Sequence, residues 1–147
     1  MNARSELIRK TFNELSKDHM EVIDGFYDEQ VTFEDPLGRI EGRAGMHEYY
    51  GNMYKNVQKI RFDFTNEIVQ GDSHVVVWSM HLWASGLNKG KEVIVVGNSL
   101  IQFGPSGKVL YHRDFFDMGA FVYEHIPLLR WAIRKIKHRL SHSANKG

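Results

Sequence analysis

The 147-residue chain contains no cysteine, so any chemistry must come from Asp, His, Ser and Tyr. Disulfides, thiolate zinc sites, iron–sulfur clusters and a cysteine nucleophile are all removed. Three placements stand out. Asp35 stands in Glu34-Asp35-Pro36-Leu37-Gly38, where the proline keeps it out of the α region and sets its carboxylate at a fixed bend. There it is either a base or the cap of a turn that binds backbone amides. His81 lies inside HVVVWSMHLWA. An imidazole among apolar neighbours is either an acid/base group or a buried neutral histidine bonded to a neighbour. His112-Arg113-Asp114 falls in a run that mixes apolar and polar residues on both faces. Either Asp114 points inward, or it pairs with Arg113 or His112 at the surface. A slip of one residue would put Arg113 inside instead.

The expected chemistry is narrowed by what is missing. There is no glycine-rich phosphate loop, His-Glu-x-x-His, Gly-x-Ser-x-Gly or EF-hand pattern. His138 and His142 sit four apart in a basic tail and make poor metal ligands, so no metal site is expected. No residue pattern calls for a cofactor. Reactions that need only acid/base groups remain: isomerisation, dehydration, aldol cyclisation or hydration.

The elements that position these residues follow from periodicity. Residues 4–16 carry Leu7, Ile8, Phe12 and Leu15 at helical spacing, with Ser5 as cap. Residues 18–28 and 42–55 read as two further helices, and residues 31–33 as a brief extended piece. Tyr27, Tyr49, Tyr50 and Tyr54 offer apolar bodies with polar tips, suited to shaping a pocket more than to moving protons. From residue 59 the pattern becomes strand-like, with strands expected at 59–69, 74–84, 91–103 and 108–116. Residues 119–140 return to helical spacing. The prediction is an α+β domain with three N-terminal helices packed on a curved sheet. Residues 1–117 form its body, and 118–147 add a C-terminal amphipathic helix and tail within the same unit.

Charge divides along the same line. The first 124 residues hold 13 basic and 18 acidic groups, whereas residues 126–147 hold six basic groups and no acid. An acidic body weighs against nucleic acid as a partner. The basic helix has three readings: a lid on the pocket, packing across a dimer, or peripheral contact with an anionic membrane surface. The N-terminal residues lack an apolar leader and no membrane-spanning run is present, so the expectation is a cytoplasmic protein.

Three stretches resemble the nuclear-transport-factor-2-like superfamily, in particular its ketosteroid isomerase and SnoaL-like polyketide cyclase branches. They are Phe26-Tyr27-Asp28-Glu29-Gln30-Val31-Thr32-Phe33-Glu34-Asp35-Pro36-Leu37-Gly38, Gly42-Arg43-Ala44-Gly45-Met46-His47-Glu48-Tyr49-Tyr50, and Phe103-Gly104-Pro105-Ser106-Gly107-Lys108-Val109. The resemblance implies a cone whose strongly curved, antiparallel or mixed sheet wraps the helices around a pocket for one small hydrophobic molecule. It implies Asp35 as a general base moving a proton alpha to a carbonyl. Thr11 and Ser99 then stand where that family has its oxyanion donors. It implies that Val75, Val77, Ser79, His81 and Trp83 face the pocket on one strand. If Ser99 points inward, so do Val93, Val95, Gly97, Ile101 and Phe103. On the last strand His112, Asp114 and Phe116 turn inward, with Asp114 as a second acid/base carboxylate. The candidate catalytic residues are therefore Asp35, Asp114 and His81. The candidate substrate-binding residues are Ser99, Tyr49, Trp83, His112, Phe116 and Tyr27. Val76, Trp78, Met80 and Leu82 would then face outward, and a homodimer through the outer sheet face is the cheapest cover for them. The function implied is a cofactor-free isomerase, cyclase or dehydratase acting on a small hydrophobic carbonyl compound. The alternative is a non-catalytic carrier of hydrophobic ligands.

Overall fold

The computed structural model describes residues 2–117, together with 138 and 140. The expected C-terminal amphipathic helix lies outside the described residues, and with it the lid, dimer and membrane readings. Three helices, α1 (Ala3–Glu14), α2 (Val22–Phe26) and α3 (Arg43–Tyr54), accompany six strands. The strands are β1 (Tyr27–Asp35), β2 (Gly38–Glu41), β3 (Val57–Gln70), β4 (Ser73–Ala84), β5 (Val93–Phe103) and β6 (Val109–Phe116). They form one sheet in the order β2-β1-β6-β5-β4-β3. It is mixed: β1 runs parallel to β6, and every other neighbouring pair is antiparallel. No described helix is long and apolar enough to cross a membrane.

The elements follow from local chemistry. Asn2, not Ser5, caps α1, its side chain accepting from the Ser5 amide at 2.8 Å. Ile8, Phe12 and Leu15 lie on the buried side of that segment, and Met46, Tyr50 and Tyr54 repeat every four residues on the buried face of α3. Gly42 starts α3 with φ +82°, a conformation that disfavours other residues. Shifts of register in β3–β4 and β5–β6 mark bulges, which bend and twist a sheet. One core joins Ile8 and Phe12 to Phe26, Met46, Val76, Trp78, Ile101 and Phe103.

Strand parity decides which side chains reach the interior. On β5, Val93, Val95, Gly97, Ser99, Ile101 and Phe103 face inward as expected. On β4 the expected parity is reversed. Val76, Trp78 and Leu82 are buried, whereas Val75, Val77, Ser79, His81 and Trp83 occupy the other face. The reason is register. Val76 pairs with Ser99 and Trp78 with Gly97, and directly opposed residues share a face. A Cβ on Gly97 would stand 2.6 Å from Trp78 Cη2 and 2.7 Å from the Phe115 carbonyl oxygen. Glycine therefore gives the indole its space.

A polar tie fixes α1 to the sheet. Glu67 accepts from Ser5 Oγ at 2.7 Å and from Arg9 at 2.9 Å, and lies 2.9 Å from His74 Nδ1. Burial would raise the Glu67 carboxyl, but the hydrogen bonds from Arg9, His74 and Ser5 outweigh it and hold the group below its ordinary 4.5.

Three outcomes are expected. Gly97→Ala should cost about 1–3 kcal/mol through overpacking, and Gly51→Ala, in an exposed part of α3 with open space at its Cβ, should stabilise by up to ~1 kcal/mol. Urea midpoints check both, and equal effects would contradict the packing account. A carboxyl lowered in the folded state stabilises above its unfolded value and loses that contribution as pH falls through the folded value. The stability gap between the wild type and Glu67→Gln should therefore narrow on acidification from neutral pH to below 4.5. Thermal unfolding across that range reads it, and a constant gap would refute the tie.

Candidate functional site

The concave side of the sheet and the helices enclose a cavity of about 200 Å³ with mainly apolar walls. Leu15, Met53, Ile60, Phe62, Met80 and Leu82 supply much of that surface. Its polar groups are Thr11, Tyr27, Tyr49, Tyr50, Tyr54, Trp78, His112 and Asp114. Such a site suits a small, largely hydrophobic ligand oriented by a few polar contacts.

Most of those polar groups belong to one hydrogen-bonded chain. Trp78 Nε1 donates to Ser99 Oγ at 2.9 Å, and Ser99 Oγ donates to Asp114 Oδ1 at 2.5 Å. His112 Nε2 lies 2.6 Å from the same oxygen. His112 Nδ1 lies 2.7 Å from the Tyr27 hydroxyl, which lies 3.0 Å from that of Tyr50. The direction of every bond follows from two groups, one that can only donate and one that can only accept. An indole N–H only donates, so Ser99 accepts from Trp78 and sends its own proton to Asp114. An ionised Asp114 only accepts, so His112 carries its proton on Nε2. Nδ1 is then an acceptor, Tyr27 donates to it, and Tyr50 donates to Tyr27.

The surroundings hold this chain in place. His112 is buried, stacked between Phe12 (5.6 Å, 23°) and Tyr27 (5.8 Å, 14°), with Phe33 edge-on at 4.9 Å. Burial pushes the Tyr27 and Tyr50 phenols well above 10, helped by the charge of Asp114, and keeps them as O–H donors. The Asp114 side chain is 19% exposed and borders the cavity. Its Oδ1 takes both donors, and Oδ2 makes no hydrogen bond to a described residue.

The expected site residues divide sharply. His112, Asp114, Phe116, Tyr27 and Tyr49 line the cavity. Ser99 faces inward but is fully buried, and its one proton is committed to Asp114. His81 and Trp83, expected on the pocket face, lie on the opposite side of β4. His81 is bound there by Glu92 (2.5 Å) and Asp63 (3.1 Å), and Lys59 sits over the Trp83 ring at 4.9 Å. Asp35 is half-buried at the tip of the β1–β2 turn and is not among the cavity-lining residues. Its Oδ1 accepts from the Leu37 and Gly38 amides at 2.8 and 3.2 Å, and Oδ2 accepts the Tyr49 hydroxyl proton. These are the bonds of the turn-capping alternative.

Sequence reasoning missed Trp78, placed outside, and the direct His112–Asp114 contact inside. The available signal was Gly97: a glycine in mid-strand marks a close approach. Val76, Trp78, Met80 and Leu82, expected to need cover from a second subunit, are covered by the domain itself. The outer face instead carries Ile94 at 54% exposure and Val96 at 65%, near Val75, Val77 and Phe115.

Comparison with known proteins agrees with this architecture. A candidate SnoaL-like polyketide cyclase from Shewanella putrefaciens superposes with a TM-score of 0.73 at 16% identity, covering 87% of this chain and 98% of that one. TerC, co-crystallised with polyporic acid, gives 0.72 at 22% identity, covering 86% and 99%. A protein of ketosteroid isomerase-like fold from Catenulispora acidiphila, in complex with trimethylamine, gives 0.70 at 10% identity, covering 85% and 92%. At these identities the likeness establishes the fold, an α+β arrangement of the nuclear-transport-factor-2 type. A search of curated proteins gives no match. The family model of the SnoaL-like domain matches residues 8–112, most of the chain, and the protein therefore belongs to the SnoaL-like domain family.

Proposed function

We propose that the protein is a cofactor-free acid/base enzyme acting on a small hydrophobic carbonyl compound, with Asp114 as the group that moves the proton. The observation that carries this reading is the asymmetry of the Asp114 carboxyl. One oxygen is held by Ser99 and His112, and the other makes no hydrogen bond to a described residue, on a side chain that lines an apolar cavity. Oδ2 takes a proton from the carbon next to the carbonyl, the C–H electron pair becomes the C=C bond of an enolate, and the proton returns to the same or another carbon. Oδ1 keeps both of its donors throughout, so the site needs no rearrangement as charge moves. The role of His112 is to hold the carboxylate through Nε2–H. In this reading Asp35 and Tyr49 brace the cavity wall.

The family and its neighbours support the substrate class. Several structural neighbours are described as SnoaL-like polyketide cyclases, and TerC was crystallised with polyporic acid. A pocket with a carboxylate and hydroxyls inside it is also more than a passive carrier needs, since each buried polar group must be compensated. We propose in addition that the outer sheet face pairs with a second copy through Ile94, Val96 and Phe115. Val96→Lys should then shift the protein from dimer to monomer in sedimentation, and a monomeric wild type would rule this out.

The proton step can be tested without the natural substrate. β-Tetralone, a small two-ring ketone with exchangeable α-hydrogens, should gain deuterium from D2O faster with the protein present, followed by NMR. Asp114→Asn should slow this exchange by roughly 10²–10⁴-fold, the usual span for an acid/base group. Loss of exchange in Asp35→Asn with retention in Asp114→Asn would instead make Asp35 the base.

A further inference from the structure

Only a few protons inside the cavity are uncommitted. Tyr27 gives its proton to His112, Tyr50 to Tyr27, Tyr49 to Asp35 and Trp78 to Ser99. His112 gives Nε2–H to Asp114, as does Ser99 its hydroxyl proton. Two lining residues remain, Thr11 and Tyr54, whose hydroxyls make no hydrogen bond to any described residue. Neither is sealed away. Among the described residues the only fully buried side-chain N or O without a partner is His74 Nε2, which does not line the cavity. Both hydroxyls therefore open onto accessible space. In a mainly apolar cavity few other groups compete for these protons, so a ligand oxygen that accepts from them is oriented by them.

We infer that Tyr54 donates the hydrogen bond that holds the substrate's carbonyl oxygen, with Thr11, which lines the same cavity, as a second donor. The inference rests on the acid/base reading of Asp114 and completes it. The acceptor, Asp114 Oδ2, meets the C–H to be broken, and the donors meet the oxygen on which negative charge develops. The balance is closed: one C–H bond breaks, one O–H bond forms on Asp114, and the oxygen carries the charge until the proton returns. Tyr54 is well built for this. It ends α3, its ring stacks on Tyr50 at 5.8 Å, and it is 4% exposed. Burial and the charge of Asp114 raise its phenol well above 10, which keeps it a donor. Tyr54 also borders the outer groove formed with Leu15, Val57 and Ile60, so the carbonyl end of the substrate lies toward that side. Ser99, the donor implied by family resemblance, has no proton left to give.

The test uses the full chain with β-tetralone. Tyr54→Phe keeps the ring and removes the hydroxyl. Exchange should fall about 10²–10³-fold, the usual effect of losing one oxyanion donor, with the binding constant for β-tetralone changed far less. The infrared carbonyl stretch of the bound ketone should lie at lower wavenumber than in cyclohexane, and should move back up in Tyr54→Phe. Exchange in Tyr54→Phe within twofold of wild type overturns the assignment, as does a loss confined to Thr11→Val. If Tyr54→Phe does not fold, the wild-type spectrum still decides: a bound carbonyl stretch equal to that in cyclohexane overturns it. No exchange in the wild type removes the acid/base reading itself, and this inference with it.

Discussion

An ionised Asp114 can only accept, and the polarity of the whole site follows from that. Ser99 Oγ and His112 Nε2 must both donate to its Oδ1, and the indole N–H of Trp78, which can only donate, supplies the proton that Ser99 accepts. Five side chains in two arms, Trp78–Ser99 and Tyr50–Tyr27–His112, then have one arrangement of protons, both arms ending at one oxygen of Asp114. The packing serves that end. Gly97 clears room for the indole, and Phe12, Tyr27 and Phe33 fix the imidazole from three sides.

The apolar walls matter electrically as well as sterically. Low local polarity strengthens each hydrogen bond in a network and makes each unpaired group costly. Most polar side chains that line the cavity are accordingly saturated, and the open capacity among them is one oxygen of Asp114 and the hydroxyls of Tyr54 and Thr11. An acceptor and donors left open across an apolar space define the ligand they would suit, one with an acidic C–H next to a hydrogen-bond-accepting oxygen. The carboxylate that the family motif makes conspicuous, Asp35, is spent on its own turn and on Tyr49. A shared motif thus fixes the backbone here more firmly than it fixes the chemistry.

How legible this was depended on how clearly each strand distinguishes its faces. On β5, small and polar residues break the alternation, and the inward set around Ser99 and Ile101 is correct. On β6, where both faces mix apolar and polar residues, only the family resemblance turns His112, Asp114 and Phe116 inward, and the structure agrees. On β4 both faces are apolar, Val75 and Val77 against Val76 and Trp78, so burial preference cannot choose between them. Only pairing with β5 decides, and that information lies in the partner strand. β2 was invisible because Gly38–Glu41 is four mostly exposed residues with no apolar alternation. The second helix was overextended because Tyr27 fits helical spacing, yet its ring is needed on β1 beneath His112. That the two carboxylates would fare so differently, one capping a turn and one facing the cavity, depended on contacts between residues distant in sequence.

The direction of the proton chain is the claim on which the rest stands, and the His112 tautomer reads it directly. In ¹⁵N-histidine-labelled protein in mildly alkaline buffer, the side-chain nitrogen shifts of His112 should show a protonated Nε2 and an unprotonated Nδ1. A His112 protonated on Nδ1 alone would reverse the bond to Tyr27 and remove the donor from Asp114, and would contradict the account.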